Sequence, residues 1–219
     1  MSRNKYPEET EKLILDVSTK LFMEKGYENT SLQDIINNLG GLTKGAIYHH
    51  FKSKEEIYNA VIYRMTADTD DDIFKIIEKK DMNGREKLKY ILLYSITAAE
   101  QKNYSLISPD YSKNPKMFYD MVVELRNEVA PLLILPIIKE GIADGSITTE
   151  QPEELADFLA LITNIWINPI VFKDNLDVIC SRYILLSELL KKFNLDIVDE
   201  EIIKKIRGFG GEQLDEYYC

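Results

Sequence analysis

A chain of 219 residues, 45 % hydrophobic and 29 % charged, has the composition of a folded globular protein with length for one sizeable core or two small ones. Its net charge of −10 argues at first against a nucleic-acid partner, yet residues 1–54 carry eight Lys/Arg against seven Asp/Glu while the remainder carries 19 against 30, so the acid lies outside the first quarter. No apolar run approaches the ~20 residues of a membrane helix, no secretory signal opens the chain, and Cys180 and Cys219 give neither a disulfide framework nor zinc spacing; the expectation is a cytoplasmic protein with no membrane, metal or cofactor association.

Pro7, Glu8, Glu9 and Glu11 supply a helix-start proline and first-turn acids ahead of Leu13, Ile14, Val17, Leu21 and Phe22, which recur at helical spacing. Lys25 and Gly26 end this first helix with a last-turn cation and a C′ glycine. Ser31, with Asp34 three residues on, caps a short second helix carrying Leu32, Ile35, Ile36 and Leu39, and Gly40-Gly41 stop it. Thr43 opens a third short helix to about His50, and Ser53 with Glu56 forms a capping box for a long fourth. Three short helices and the start of a long one, with a glycine turn between the second and third, are the punctuation of a helix-turn-helix.

Beyond them the spacing predicts helices at about 84–102, 115–129, 131–144, 152–171, 175–193 and 199–207. Breaks fall at Asn83-Gly84, Ser108-Pro109, Asn114-Pro115, Gly145 and Asn168-Pro169. No segment alternates with period two, so the fold class is all-α: an N-terminal three-helix helix-turn-helix domain followed by a larger helical domain.

The stretch LTKGAIYHHF, residues 42–51, holds both histidines of the chain. On a helix Ile47 and Phe51 mark the packed face, and adjacent residues diverge by about 100°, which excludes a metal pair at His49 and His50. The remaining positions suit a duplex. Thr43 offers a hydroxyl and nearby free N–H groups to a phosphate at the helix start, Gly45 and Ala46 allow close approach to base edges, and Lys44 has the reach for a guanine edge or a phosphate. Tyr48, His50, Lys52 and Lys54 line the far end as donors for backbone oxygens. No nucleophile, base and acid converge there, so the chain is not expected to be an enzyme.

Residues Asn29 to Ile62, with the preceding ILDVSTKLFMEKGY, resemble the DNA-binding domain of the TetR family of transcriptional repressors. The Thr-Ser start of the second helix, TKGAIYHHF and KSKEEI carry the resemblance. It implies that Lys44 and Ala46 face bases, that Tyr48, His50 and Lys54 hold phosphates with His49 between the two roles, and that Thr43 contacts a base or phosphate. One departure is the turn Leu39-Gly40-Gly41-Leu42-Thr43, a residue longer than the family's usual one, which bears on the register of the third helix. The implied division is a DNA-binding domain at 1–53 and an effector-binding and dimerisation domain at 54–219, with 54–80 as a bridging helix. The implied function is a homodimeric repressor that binds a palindromic double-stranded operator and is released by a small-molecule effector. The alternative is an all-helical interaction protein without DNA binding.

Two late segments, Pro152 to Phe172 and Leu176 to Phe193, are apolar on more than one face and call for cover on several sides. A partner subunit would supply it through Phe158, Ile162, Ile165, Ile179, Tyr183, Leu186 and Leu190, and the family resemblance implies such a four-helix interface. Candidate effector contacts are Tyr90, Tyr94, Tyr104, Phe118, Met121, Phe158, Asn164, Trp166 and Asn168, since aromatics with a few amides suit a mostly apolar pocket. Asn164 and Asn168, a turn apart in an apolar helix, must find partners, face a pocket or lie at a wet interface.

Overall fold

The computed structural model describes residues 7–42 and 44–208, all helices and connections, with no strand among them. Helices α1 (Pro7–Lys25), α2 (Leu32–Asn37), α3 (Lys44–His50) and α4 (Lys54–Glu78) are followed by α5 (Gly84–Gln101), α6 (Tyr104–Ile107) and α7 (Pro115–Glu124). Then come α8 (Leu135–Asp144), α9 (Pro152–Leu161), α10 (Pro169–Phe172), α11 (Leu176–Leu190) and α12 (Glu200–Gly208). The chain divides into two compact units, residues 1–70 with 102–110, and 71–101 with 111–219. The expected boundary at 53/54 thus falls instead inside α4, because Ile57, Tyr58 and Val61 are core residues of the first unit, and the segment around α6 returns to that unit.

In the first unit, Ile14, Phe22, Ile35, Ile47, Ile57, Val61 and Ile107 are buried, each from a different helix or turn of helix. Phe22, Tyr27 and Tyr58 join them as an aromatic cluster with ring centroids 5.0–6.0 Å apart. Gly26 ends α1 at φ +76°, and its N–H donates to the Phe22 carbonyl at 2.8 Å, as a C′ glycine should. Across the unit, Arg64 of α4 donates to Asp16 and Thr19 of α1 at 2.8 and 3.0 Å. Lys102 and Tyr104 both donate to the Met65 carbonyl, at 2.5 and 3.3 Å.

The second unit is organised where α5 crosses α8. A Cβ on Gly84 would lie 2.5 Å from the Gly141 Cα and 2.6 Å from the Ile137 carbonyl oxygen, so two backbones touch with no side chain between them. The start of α5 is closed by reciprocal bonds between Asn83 and Glu86, both 2.9 Å, while the Gly84 N–H donates to Asp144 at 2.9 Å. The Ser146 hydroxyl and the N–H groups of Gly84 and Ser146 hold the Asp144 carboxyl below the usual carboxylate range. One turn further, the ammonium of Lys87, 1 % exposed, donates to both oxygens of Glu140 at 2.7 Å and to the Ile77 carbonyl at 2.8 Å. The last turn of α4, α5 and α8 therefore share one cation.

Two helix boundaries differ from the sequence expectation for one reason. Separate helices were expected at about 115–129 and 131–144, but residues Leu125–Ile134, with Pro131 inside, form a π-helical stretch that joins α7 to α8 without a break. Proline has no N–H to give to the carbonyl four residues back, and the wider i→i−5 pattern, as in Leu135 N–H to Ala130 O, carries the helix past it. A second π-turn, Ile162–Trp166, ends the helix begun by α9, so 152–171 is not one continuous helix.

Substituting Gly84 by Ala inserts a methyl group into backbone that cannot yield, and a loss of at least ~1–3 kcal/mol is expected in chemical denaturation. At the Lys87 site the two partners are unequal. Glu140→Ala strands a buried ammonium and is expected to cost ~3 kcal/mol or more, whereas Lys87→Met leaves a carboxylate that is 40 % exposed and is expected to cost less. Equal losses would show that the ammonium is hydrated in solution.

Candidate nucleic-acid interface

The helix-turn-helix is assembled from short-range signals. Ser31 Oγ accepts from the Asp34 N–H at 3.1 Å and the Ser31 N–H donates to Asp34 Oδ2 at 2.8 Å, a complete capping box for α2. The Ser31 hydroxyl, which donates to Asp34 Oδ2 at 2.5 Å, and then the Ser31 N–H hold the Asp34 carboxyl below its ordinary value. The turn to α3 bends through two consecutive left-handed residues, Gly40 at φ +62° and Gly41 at φ +101°, and this is how the additional residue is absorbed. At the other end the Glu56 N–H donates to Ser53 Oγ at 3.1 Å, while the Glu56 carboxylate accepts from Lys52 N–H at 2.7 Å rather than from Ser53 itself.

Helix α3 is seated by Ile47, fully buried, and followed by Phe51, 7 % exposed. Lys44, Gly45, Tyr48 and His49 are exposed and Ala46 is half-buried. The Lys44 ammonium lies 5.6 Å from the centroid of the Tyr48 ring. Thr43 lies outside the described residues.

Two residues expected on this face are placed elsewhere. The His50 side chain is only 8 % exposed, with Nδ1 3.8 Å from Glu11 Oε2 of α1. Lys54 donates to the Tyr27 carbonyl at 2.8 Å, its ammonium 4.0 Å from the Tyr27 ring centroid. Burial lowers the Lys54 ammonium below its ordinary value, partly opposed by Glu28. The exposed cation beside the helix is Lys52. Glu11, read in the sequence only as an acid of the first helix, and Tyr27 are the residues that these two side chains lie against.

The candidate effector contacts do not converge on one cavity. Tyr104 belongs to the first unit. Tyr90 is 48 % exposed beside Lys79, and Tyr94 donates to Asp72 at 2.5 Å. Phe118 packs edge-on to Tyr111 at 5.9 Å, and Met121 and Phe158 are half-buried against the core of the second unit. Asn164 donates to the Ala160 carbonyl at 2.9 Å, and Asn168 donates to the Asn164 carbonyl at 3.1 Å while capping α10 through Ile170 N–H at 3.0 Å. Their amides find partners in the local backbone. Trp166 lines an open cleft of about 330 Å³ with Asp177, Val178, Ser181, Arg182 and Leu185. The Arg182 guanidinium there lies 5.6 Å from the Trp166 ring and 5.5 Å from the Phe172 ring and pairs with Asp174 at 2.7 Å.

The candidate dimer residues divide likewise. Ile179, Tyr183, Leu186 and Leu190 are buried in the second unit's own core, and burial pushes the Tyr183 phenol well above its ordinary value. Phe158, Ile162 and Ile165 are half-buried against that core. The apolar side chains that α11 exposes are Val178, Ile184, Leu185 and Leu189, 37–45 % accessible.

A short helix seated by two apolar residues, with a small, cationic and aromatic outer face, on a capped two-helix support, has the build of a helix-turn-helix. Residues 14–61 match the family model for bacterial regulatory proteins, tetR family. The chain is 28 % identical over 146 residues to the HTH-type transcriptional repressor KstR2 of Mycolicibacterium smegmatis, spanning 65 % of this chain and 69 % of that one. Over 54 residues, 25 % of each chain, it is 43 % identical to the HTH-type transcriptional regulator AcrR of Shigella flexneri. Its fold is similar to that of a TetR-family transcriptional regulator from Pectobacterium atrosepticum, with TM-score 0.59 and 22 % identity over 87 % of this chain and 97 % of the other. Residues 14–61 are thus similar to the bacterial regulatory proteins of the tetR family, and the fold of the chain is similar to that of solved regulators of that family.

The glycine turn is open to a direct test. No atom lies within 4 Å of a Cβ at either glycine, so the cost of a side chain there is conformational alone. Gly40→Ala, in the left-handed region, is expected to lose ~1 kcal/mol of stability, and Gly41→Ala, at a φ that L-residues avoid, is expected to lose more. Thermal unfolding of both variants measures the order, and equal midpoints with the parent would show that the turn relaxes.

Proposed function

We propose that this protein is a cytoplasmic, homodimeric transcriptional repressor that binds a palindromic operator through two copies of α3 and leaves it when a small molecule occupies the second unit. The exposed face of α3 around buried Ile47 carries the reading. Lys44, Ala46 and Gly45 would meet base edges, with Tyr48, His49 and Lys52 toward the phosphates and Thr43 at the helix start. One seven-residue helix reads few base pairs, so two on a dyad are needed for a site of useful length. The row Val178, Leu185 and Leu189 on α11 supports a second copy as the cover for that face. KstR2 is named a repressor, and the same sign of regulation is proposed here.

Helix α4 belongs in part to each unit, which supports it as the carrier of an effector signal. Linkage then requires that the effector favour the state with weaker operator affinity, and a coupling of ~1–3 kcal/mol would weaken DNA binding roughly 5- to 150-fold. No helix among the described residues is long and apolar enough to cross a membrane.

An anisotropy titration of the protein against DNA upstream of its own gene should show one preferred duplex, with an affinity that falls steeply as salt rises. Lys44→Ala should relax preference at one base pair, whereas Tyr48→Phe should weaken all sequences by a similar factor of a few. Equal, weak binding to every duplex would favour an interaction protein that does not read DNA. Sedimentation should give twice the 25.4 kDa chain mass, and Leu185→Glu with Leu189→Glu should return it to one.

A further inference from the structure

We propose that Tyr48 is a positioning residue for Lys44, its ring holding the Lys44 ammonium along one flank of α3, so that base readout by Lys44 depends on that ring as well as on the Tyr48 hydroxyl. The inference rests on the reading of α3 as the DNA-contacting helix.

Ile47 and Phe51 centre the packed side of α3, which places Gly45 and His49 at the middle of the opposite side. Lys44 and Tyr48, both exposed and four residues apart, stand one above the other on the flank beside them. A helical side chain leans back toward the N-terminus, so the Tyr48 ring is carried onto the turn that Lys44 opens. There the ammonium lies 5.6 Å from the ring centroid, within reach of a cation–π contact. Gly45, the next residue, offers no side chain for the Lys44 stem to lean on. A lysine stem is among the most flexible of side chains, and that freedom is given up when its ammonium is fixed on a base edge. A ring that already holds the ammonium on the flank removes part of this cost before DNA arrives. The hydroxyl at the far edge of the same ring is a donor for a phosphate. A phosphate bound there fixes the ring and, with it, the ammonium, so backbone contact and base preference are coupled through one side chain.

The test is discrimination: the ratio of affinities for the preferred duplex and for one altered at the base pair whose preference Lys44→Ala abolishes. Tyr48→Phe keeps the ring and should lower both affinities while leaving the ratio at the parent's value. Tyr48→Leu loses the ring as well, and the ratio should fall roughly two- to fivefold, the worth of an exposed cation–π contact. In a Lys44→Ala background the two substitutions should give the same ratio, because no ammonium is left to hold. Equal ratios for Tyr48→Phe and Tyr48→Leu beside an intact Lys44 overturn the proposal. So does a difference between them that persists without Lys44, which would make the ring itself the base contact, and so does a Lys44→Ala variant that keeps every base preference. The contact is also read without DNA, from the ε-methylene protons of Lys44 by NMR. Ring current should shift them upfield in the parent and in Tyr48→Phe and leave them at the ordinary lysine position in Tyr48→Leu. Ordinary shifts in the parent overturn the proposal whatever the duplexes show. A parent that prefers no duplex overturns the reading of α3 and this proposal with it, whereas equal ratios in a parent that does discriminate overturn this proposal alone.

Discussion

A helix of seven residues has almost no stability of its own, since isolated helices below ~12–15 residues are marginal in water. Everything this protein can do at α3 therefore depends on how that helix is seated by the rest of its unit. Ile47 and Phe51 supply the apolar anchor, and burying two such side chains contributes ~1.5–3 kcal/mol each. The support beneath is in turn fixed by the Ser31–Asp34 box, the left-handed glycines and the aromatic cluster of Phe22, Tyr27 and Tyr58. Polar reach is spent on the inside as well as the outside. Two of the long side chains nearest the recognition helix, His50 and Lys54, turn back to Glu11 and Tyr27.

The second unit solves a different problem by related means. Its helices are richly apolar, and hydrophobic burial alone gives little directional preference. Direction comes from a few contacts that tolerate no substitute: bare backbone against bare backbone at Gly84 and Gly141, and one buried ammonium with three acceptors on Glu140 and Ile77. Farther along α5, Lys89 reaches Asp199 at 2.5 Å, ahead of α12, and its ammonium is held above its ordinary value by that bond. These polar contacts fix how α5 lies against its neighbours.

What could be read from the sequence was what depends on neighbours in sequence. Gly26, Ser31 with Asp34, and Gly40-Gly41 announced their roles because caps and turns are decided within four residues. Ile47 and Phe51 announced the seated face of α3 for the same reason. His50 and Lys54 were misplaced because their partners lie 39 and 27 residues away, and a helical projection shows where a side chain leaves its own helix, not what awaits it. For α11 the difficulty was ambiguity. With apolar residues nearly all round, periodicity did not decide that Ile179, Tyr183, Leu186 and Leu190 face inward and Val178, Leu185 and Leu189 outward. Proline at 131 was a sound breaker signal overridden by a wider helix.

That wider helix changes how the segment from Pro115 to Asp144 is to be counted. Each i→i−5 ring holds one residue more than an α-turn, so the stripe of side chains after Leu135 is out of phase with the stripe before Leu125, although the backbone never leaves a helix. Tyr119, 67 % exposed, precedes that change of phase and the buried pair Ile137 and Ile138 follows it. A residue added or removed within this stretch would change helical register rather than loop length. A one-residue gap against a relative here would mark a tightened turn inside a continuous helix, where insertions are ordinarily least looked for.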